Sequence, residues 1–288
     1  RETMFFDVLD KTPDGVSVCV FDITDRVQHM FYRYIDKNHP AIAKTESKLQ
    51  YQNIIRDLYI QMDDLVGRIM DRVGSDTTVM VMSDHGFKSF RYGFNINTWL
   101  KQNEFLFEKS DATGSDMLMD IDWSKTKAYA LGFGGIFLNL AGRESKGIVA
   151  KGREADDIKD EIREKLLAFE DKIRNECPIK EVFDRYDVYS GPYVEDAPDL
   201  IVGFKIGYRA AWSAITGGIS NRIVEENIRP WSGDHNMNPE DVPGMLFCNH
   251  KFDADLPHIM DIAPTVLDLF GIPIPGYMDG KNLNIKLP

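Results

Sequence analysis

The chain has 288 residues, of which 43% are hydrophobic and 28% charged, a composition typical of a soluble globular protein with one large α/β domain or two small ones. Its 34 basic and 46 acidic residues give a formal net charge of −12, which excludes bulk electrostatic binding to a nucleic-acid duplex or an anionic membrane. The three cysteines do not have the spacing of a disulfide framework or a zinc motif, and no signal peptide or membrane-spanning run is visible, so we expect a cytoplasmic location.

The first third of the chain contains two predicted strands separated by a long helical pattern. Residues 15–22 are apolar and end in an acid, as a buried parallel strand does when it carries a carboxylate to its C-terminal end. Residues 44–73 repeat apolar side chains at helical spacing and are followed by Gly74, which is typical of a helix C-cap. Residues 77–87 form a second apolar run that ends in a polar turn. The sequence begins directly with domain-like elements, without an initiator methionine or a leader peptide. We therefore expect upstream sequence to be missing.

The remainder of the chain alternates short apolar runs with helical patterns. Two short strands around a glycine-rich bend are predicted within residues 129–140. Further strands are predicted within residues 181–189, 198–204 and 242–249, and helices within residues 95–106, 152–175 and 257–270. This alternation predicts an α/β fold in which a mostly parallel central sheet is flanked by helices. We interpret residues 1–288 as a single, partial domain of this kind.

Asp25 and His29 are the first candidate ligands for a metal ion. They are four positions apart, so on a helix that follows the strand at 15–22 they share one face. A carboxylate oxygen and an imidazole nitrogen on that face can bind one cation. The alternative is an ordinary surface pair, which this spacing alone more often produces.

Asp84 and His85 form the second candidate pair, directly after the apolar part of the run at 77–87. Adjacent side chains can point toward one site only in a turn, and Gly86 permits a sharp one. The alternative is a strand-end aspartate that caps the turn beside a hydrogen-bonded histidine.

His235 is the third candidate, in a polar, glycine-containing loop before the strand at 242–249. Taken alone, it fits an ordinary surface turn. Ligands of parallel α/β sheets bind beyond the carboxyl ends of the strands, and carboxylates with neutral imidazoles are ligands of Zn²⁺, Mn²⁺ or Fe²⁺. The three motifs together therefore predict a metal centre.

The order of these motifs resembles the alkaline-phosphatase superfamily. Within it, the sequence is most similar to the type I phosphodiesterase/nucleotide pyrophosphatase branch and its phosphohydrolase/phosphomutase members. The resemblance extends over nearly the whole chain, and it is most specific where residues 83–86 read SDHG and residues 261–271 read DIAPTVLDLFG. It implies an alkaline-phosphatase-like fold, of which this chain is the C-terminal portion.

The resemblance also implies two divalent metal ions in the intact protein, with zinc preferred and manganese as the alternative. Asp25, His29 and His235 would form one site, and Asp84 and His85 would supply part of the second. The family completes the second site with an acid from an earlier strand and a Thr or Ser nucleophile. Neither is found in this sequence, so the catalytic nucleophile stays unassigned.

The activity that the resemblance implies is metal-dependent hydrolysis of phosphoric esters by two-metal phosphoryl transfer, on a small phosphate ester or a nucleotide. Residues 88–128 and 205–232 would form a rim facing the substrate. Any single residue of these segments, taken alone, is better explained as a solvated loop residue. Alternatives are a phosphomutase or a sulfatase-like enzyme on the same fold, or a catalytically incomplete metal-binding or structural fragment. We expect the parent protein to be an enzyme; activity of this chain alone and its oligomeric state stay open.

Overall fold

The computed structural model describes residues 1–12, 14–44, 50–114 and 117–287. Within these ranges the α-helices are α1 (Glu2–Lys11), α2 (Ile23–Phe31), α3 (Ile54–Val73), α4 (Ile96–Gln102), α5 (Arg153–Leu167), α6 (Arg185–Val188), α7 (Trp212–Ile215) and α8 (Ile262–Leu269). The strands are β1 (Met80–Met82), β2 (Lys88–Phe94), β3 (Ala128–Leu131), β4 (Gly135–Leu138), β5 (Ile179–Asp184), β6 (Leu200–Phe204), β7 (Gly207–Ala210), β8 (Val224–Glu226), β9 (Gly233–Asp234) and β10 (Leu246–Cys248).

The described strands form three small sheets. One is antiparallel, in the order β3-β4-β6-β5. In the second, β2 pairs in parallel with β7 and antiparallel with β8 and β9. The third is the antiparallel pair of β1 and β10. The α/β class is confirmed, but the prediction of a mostly parallel sheet is wrong for the described part of the chain, where β2 and β7 form the one parallel pair.

For β3 and β4, the physical reason for this error lies in the connection between the two strands. A parallel pair needs a crossover connection of a dozen or more residues, whereas a tight turn forces the antiparallel arrangement. β3 and β4 are joined by the three-residue turn 132–134, in which Gly132 and Gly134 adopt positive φ angles of 80° and 135°. The predicted pair of strands around a glycine bend within 129–140 is therefore confirmed, and its antiparallel pairing follows from the turn.

The predicted buried strand at 15–22 is wrong for the described residues. This segment forms no strand and pairs with no described strand, and Val16, Val18 and Val20 are 52%, 82% and 72% exposed. An apolar run is buried on both faces only where strands pair on either side and other elements cover the sheet. The segment nevertheless leads directly into α2, as the sequence predicts.

The predicted long helix is confirmed over Ile54–Val73, and Gly74 ends it with a φ of 74°. Residues 45–49 of the predicted range 44–73 lie outside the described residues. The predicted helix within 152–175 begins at Arg153 and ends at Leu167, with an apolar face that buries Ile158, Ile162 and Leu166.

β2 connects the hydrophobic core to the candidate site. Phe94, at its C-terminal end, lies in the core with Trp99 and Phe204. At its N-terminal end, Lys88 and Ser89 pair with β9, directly before His235.

The two segments predicted as a rim contribute much of this interior. β2, α4, β7 and β8 all come from residues 88–128 and 205–232, of which residues 115 and 116 lie outside the described ranges. Tyr208 and Arg209, which the sequence analysis places within the rim, are 2% and 1% exposed. They therefore contribute to the interior of the fold and not to a solvent-facing surface.

Candidate metal centre

α2 brings Asp25 and His29 together as their spacing predicts. The Nε2 of His29 lies 3.3 Å from the Oδ1 of Asp25. His29 is buried, and Asp25 is partly exposed. The helix therefore presents one carboxylate oxygen and one ring nitrogen at the same place.

The other ring nitrogen of His29 is held by the backbone of a distant loop. Nδ1 lies 2.8 Å from the carbonyl oxygen of Gly233, and because a carbonyl can only accept, Nδ1 carries the proton in this bond. The indole of Trp231 stacks on the imidazole with a centroid distance of 3.7 Å and an interplanar angle of 27°. This arrangement leaves Nε2 as the ring nitrogen of His29 whose lone pair is available to a metal ion.

The turn after β1 is held against residues 242–245. The Ser83 amide donates to the carbonyl of Met245 at 3.0 Å, and the Gly86 amide donates to that of Val242 at 2.9 Å. A β-carbon at Gly86 would lie 2.7 Å from the carbonyl oxygen of Pro243, which explains why glycine occupies this position. The turn thereby places His85 in a fixed position at the end of the strand.

The two residues of this turn differ in their surroundings. The Nδ1 of His85 donates to the carbonyl of Gly86 at 3.0 Å, so Nε2 is free to bind a ligand. The side chain of Asp84 is 76% exposed, and its carboxylate lies 3.6 Å from the Nε2 of His85.

His235 completes the cluster from the loop after β9. Its ring stacks on that of His85 with a centroid distance of 3.6 Å and an interplanar angle of 12°. Its Nε2 lies 3.9 Å from the Oδ1 of Asp25. Burial lowers the pKa of the His235 imidazole, and the neighbouring His85 acts in the same direction, which favours the neutral form that binds metals.

The five predicted residues lie close to one another. One donor atom each from Asp25, His85 and His235 lie within 4.8 Å of one another, so His85, which the resemblance assigns to the second site, lies next to the predicted first site. His29 joins through its contact with Asp25, and Asp84 through its contact with His85.

Asp234 and Arg209 are two residues at this site to which the sequence analysis assigns no role in it. Asp234 is 1% exposed, and the Nε of Arg209 lies 2.9 Å from its Oδ2. Burial alone would raise the pKa of Asp234, but the guanidinium of Arg209, with hydrogen bonds from Asn236 and Trp231, holds it below the ordinary value. The available sequence signal is the position of Asp234 directly before His235; no local signal identifies Arg209.

Residues 2–222 match the family model of type I phosphodiesterase / nucleotide pyrophosphatase. The chain belongs to this family. The resemblance seen in the sequence is thereby confirmed. The matched range includes Asp25, His29, Asp84 and His85 and ends before His235.

Among solved structures, the chain is similar to the crystal structure of a mutant of alkaline phosphatase PafA. The identity is 17%, the TM-score is 0.38, and the match covers 98% of this chain and 50% of that chain. The chain thus spans half the length of that protein. Curated proteins give no significant match. Among the described residues, no helix has both the length and the apolar composition needed to cross a membrane.

Proposed function

We propose that the protein containing this chain is a metal-dependent phosphoric ester hydrolase of the phosphodiesterase/nucleotide pyrophosphatase type, and that this chain supplies ligands to its metal centre. The observation that carries the proposal is the convergence of donor atoms from Asp25, His85 and His235 within 4.8 Å. These residues are far apart in the sequence and lie in three separate elements. The family match supports the reaction class.

The donor set fits a divalent transition metal. Carboxylate oxygen with imidazole nitrogen is the ligand chemistry of Zn²⁺ and Mn²⁺. Asp25, His29 and His235 would bind one ion, and His85 with the exposed carboxylate of Asp84 would supply part of the site for a second ion. When bound, such ions stabilise the charge on a phosphoryl group and lower the pKa of a nucleophilic hydroxyl.

Backbone carbonyl groups of this chain hold the candidate ligand atoms in place. The Gly233 carbonyl fixes the tautomer and orientation of His29 through Nδ1. The Gly86 carbonyl does the same for His85. With both Nδ1 atoms occupied, both Nε2 atoms keep their lone pairs for the metal. The substrate in this proposal is a small phosphate ester or a nucleotide, and the nucleophile is the family's Thr or Ser, which is not assigned in this chain.

Metal binding by the purified chain tests the proposal directly. Zinc titrated into the metal-free chain is expected to bind tightly at one site, and His235→Ala is expected to weaken that binding by at least about 10-fold because a ligand is removed. His250→Ala removes an imidazole outside the cluster and is expected to bind zinc as the wild type does. Equal zinc affinity in the two variants would contradict the assignment.

Hydrolysis by the full-length protein tests the reaction class. We expect zinc-dependent or manganese-dependent cleavage of bis-p-nitrophenyl phosphate, with slower cleavage of p-nitrophenyl phosphate. Loss of both activities in EDTA and their return with added metal would support the proposal. Unchanged cleavage in EDTA after exhaustive dialysis would exclude it.

A further inference from the structure

We propose that Arg209 and Asp234 form a buried ion pair that positions the two metal-binding imidazoles, His29 and His235, through separate contacts. The inference rests on the proposed metal centre and adds to it two residues that contact neither metal nor substrate. One carboxylate is linked to both histidines, and one guanidinium faces that carboxylate.

The first link runs from Asp234 to His235 through the backbone. The Oδ1 of Asp234 accepts hydrogen bonds from the amide of His235 at 2.9 Å and from the amide of Asn236 at 3.0 Å. It also accepts one from the Nδ2 of Asn236 at 2.9 Å. Three donors on one oxygen fix the turn in which His235 sits and therefore the direction of its side chain.

The second link runs from Asp234 to His29 through Trp231. The Oδ2 of Asp234 accepts a hydrogen bond from the indole Nε1 of Trp231 at 2.9 Å. That indole stacks on the His29 ring at 3.7 Å, so the hydrogen bond fixes the plane against which His29 packs. The amide of the next residue, Ser232, donates to the carbonyl of His29 at 2.6 Å, which holds the same loop on α2.

Arg209 supplies the positive charge that this buried carboxylate needs. Its guanidinium packs over two aromatic rings, 4.2 Å from the centroid of Phe90 and 4.3 Å from that of Trp212. Its Nε is within ion-pair distance of Asp234, although the N–H does not point along a hydrogen bond. The two rings fix the guanidinium in place, and removing one charge of such a pair leaves the other buried and uncompensated.

An ion pair that served only the stability of the fold would leave metal binding unchanged. The chain offers a matched control in Asp199, a second buried aspartate. Its carboxylate contacts Arg143 at 2.6 Å and Arg185 at 2.7 Å and accepts the amide of Leu138, and it is not part of the cluster of metal-binding groups.

The experiment measures the zinc dissociation constant of the whole chain by competition with a chromophoric chelator. We expect Asp234→Asn to weaken zinc binding by about 10- to 100-fold, while Asp199→Asn lowers the unfolding midpoint but leaves the zinc affinity within about twofold of the wild type. Arg209→Met combined with Asp234→Asn is expected to unfold at a higher urea concentration than Arg209→Met alone, because the uncompensated buried carboxylate is gone.

A folded Asp234→Asn variant with wild-type zinc affinity would overturn the inference. If that variant does not fold, Trp231→Phe replaces it, since this change keeps an aromatic ring against His29 and removes only the donor to Asp234. Wild-type affinity in Trp231→Phe would then overturn the link to His29. Absence of zinc binding in the wild type itself would instead refute the proposed metal centre on which the inference rests.

Discussion

Gly233 allows the loop that carries His235 to lie directly against α2. A β-carbon at this position would lie 2.5 Å from the carbonyl oxygen of Gln28 and 2.8 Å from the Cβ of Tyr32. Both distances are shorter than a normal contact, and the first partner is helix backbone that cannot rotate away. The missing side chain therefore determines how closely His235 approaches Asp25.

Replacing Gly233 with alanine tests this close approach. We expect Gly233→Ala to lower the free energy of unfolding by about 1–3 kcal/mol, because the loop or α2 must shift, and to weaken zinc binding. Gly67→Ala is the control: a β-carbon there meets nothing within 4 Å inside α3, and alanine in a helix interior is expected to stabilise by about 0.5–1 kcal/mol. Urea unfolding of the metal-free variants measures both effects, and a similar change in both would contradict the steric explanation.

The ligand residues of the site were more predictable than the residues that support them. Asp25 and His29 share a helix face because helical period is local, and the sequence spacing contains that information. The burial of Arg209 depends on the pairing of β7 with β2, which joins distant parts of the chain. The segment that contains Arg209 shows no clear hydrophobic period in the sequence. No local pattern therefore indicated that Arg209 is buried and does not lie on the predicted rim.

His39 joins the segment after α2 to β2. Its Nε2 donates to the carbonyl of Phe90 at 2.7 Å, and its Nδ1 accepts the amide of Ala41 at 3.1 Å. The bond from Ala41 requires the neutral ring, because a protonated Nδ1 cannot accept a hydrogen bond. Burial accordingly lowers the pKa of His39, despite the hydrogen bond to Phe90 and the nearby Asp36, which act in the opposite direction.

The lowered pKa of His39 determines how its contribution to the free energy of unfolding changes with pH. Below the ordinary histidine pKa of about 6.5, the unfolded chain binds a proton at His39 that the folded chain excludes. The contribution is therefore complete above that pH and is lost as the pH falls toward the folded pKa. We expect His39→Gln to lower the free energy of unfolding by about 1–2 kcal/mol at pH 7.5 and by less at pH 5.5. Urea midpoints at the two pH values, with metal absent, measure this; a constant difference would contradict it.

Helices and strands that are defined by local sequence signals were predicted better than the way in which the strands pair. α3 and its end at Gly74 follow from apolar spacing and a glycine C-cap. The run at 15–22 carries only a composition signal, and whether it pairs depends on neighbouring strands that its own residues do not specify. The direction of strand pairing was likewise not encoded in the runs themselves.

The proposed metal centre connects three parts of the molecule. α2, the turn after β1 and the loop after β9 each contribute candidate ligand atoms. An ion bound to all three is bound to the folded state and not to the separated segments. Metal binding should therefore stabilise the fold as a whole.

Thermal unfolding measures this coupling. At a zinc concentration about 100-fold above the dissociation constant, the free energy of unfolding is expected to rise by about 2.7 kcal/mol. EDTA should reverse the gain, and His85→Ala should remove most of it, while His250→Ala should retain it. An increase of the same size in His85→Ala would show that zinc acts elsewhere.

The hydrogen bond between His29 and the Gly233 carbonyl spans 204 positions of the chain. Contacts of such large sequence separation form late, because the entropy of closing the intervening chain must be overcome before they contribute. The ligand set is therefore complete only after nearly all of the polypeptide has reached its final topology. If the proposed metal centre forms, a chain whose segments have not yet come together lacks the full ligand set, and we expect the ion to bind only after folding.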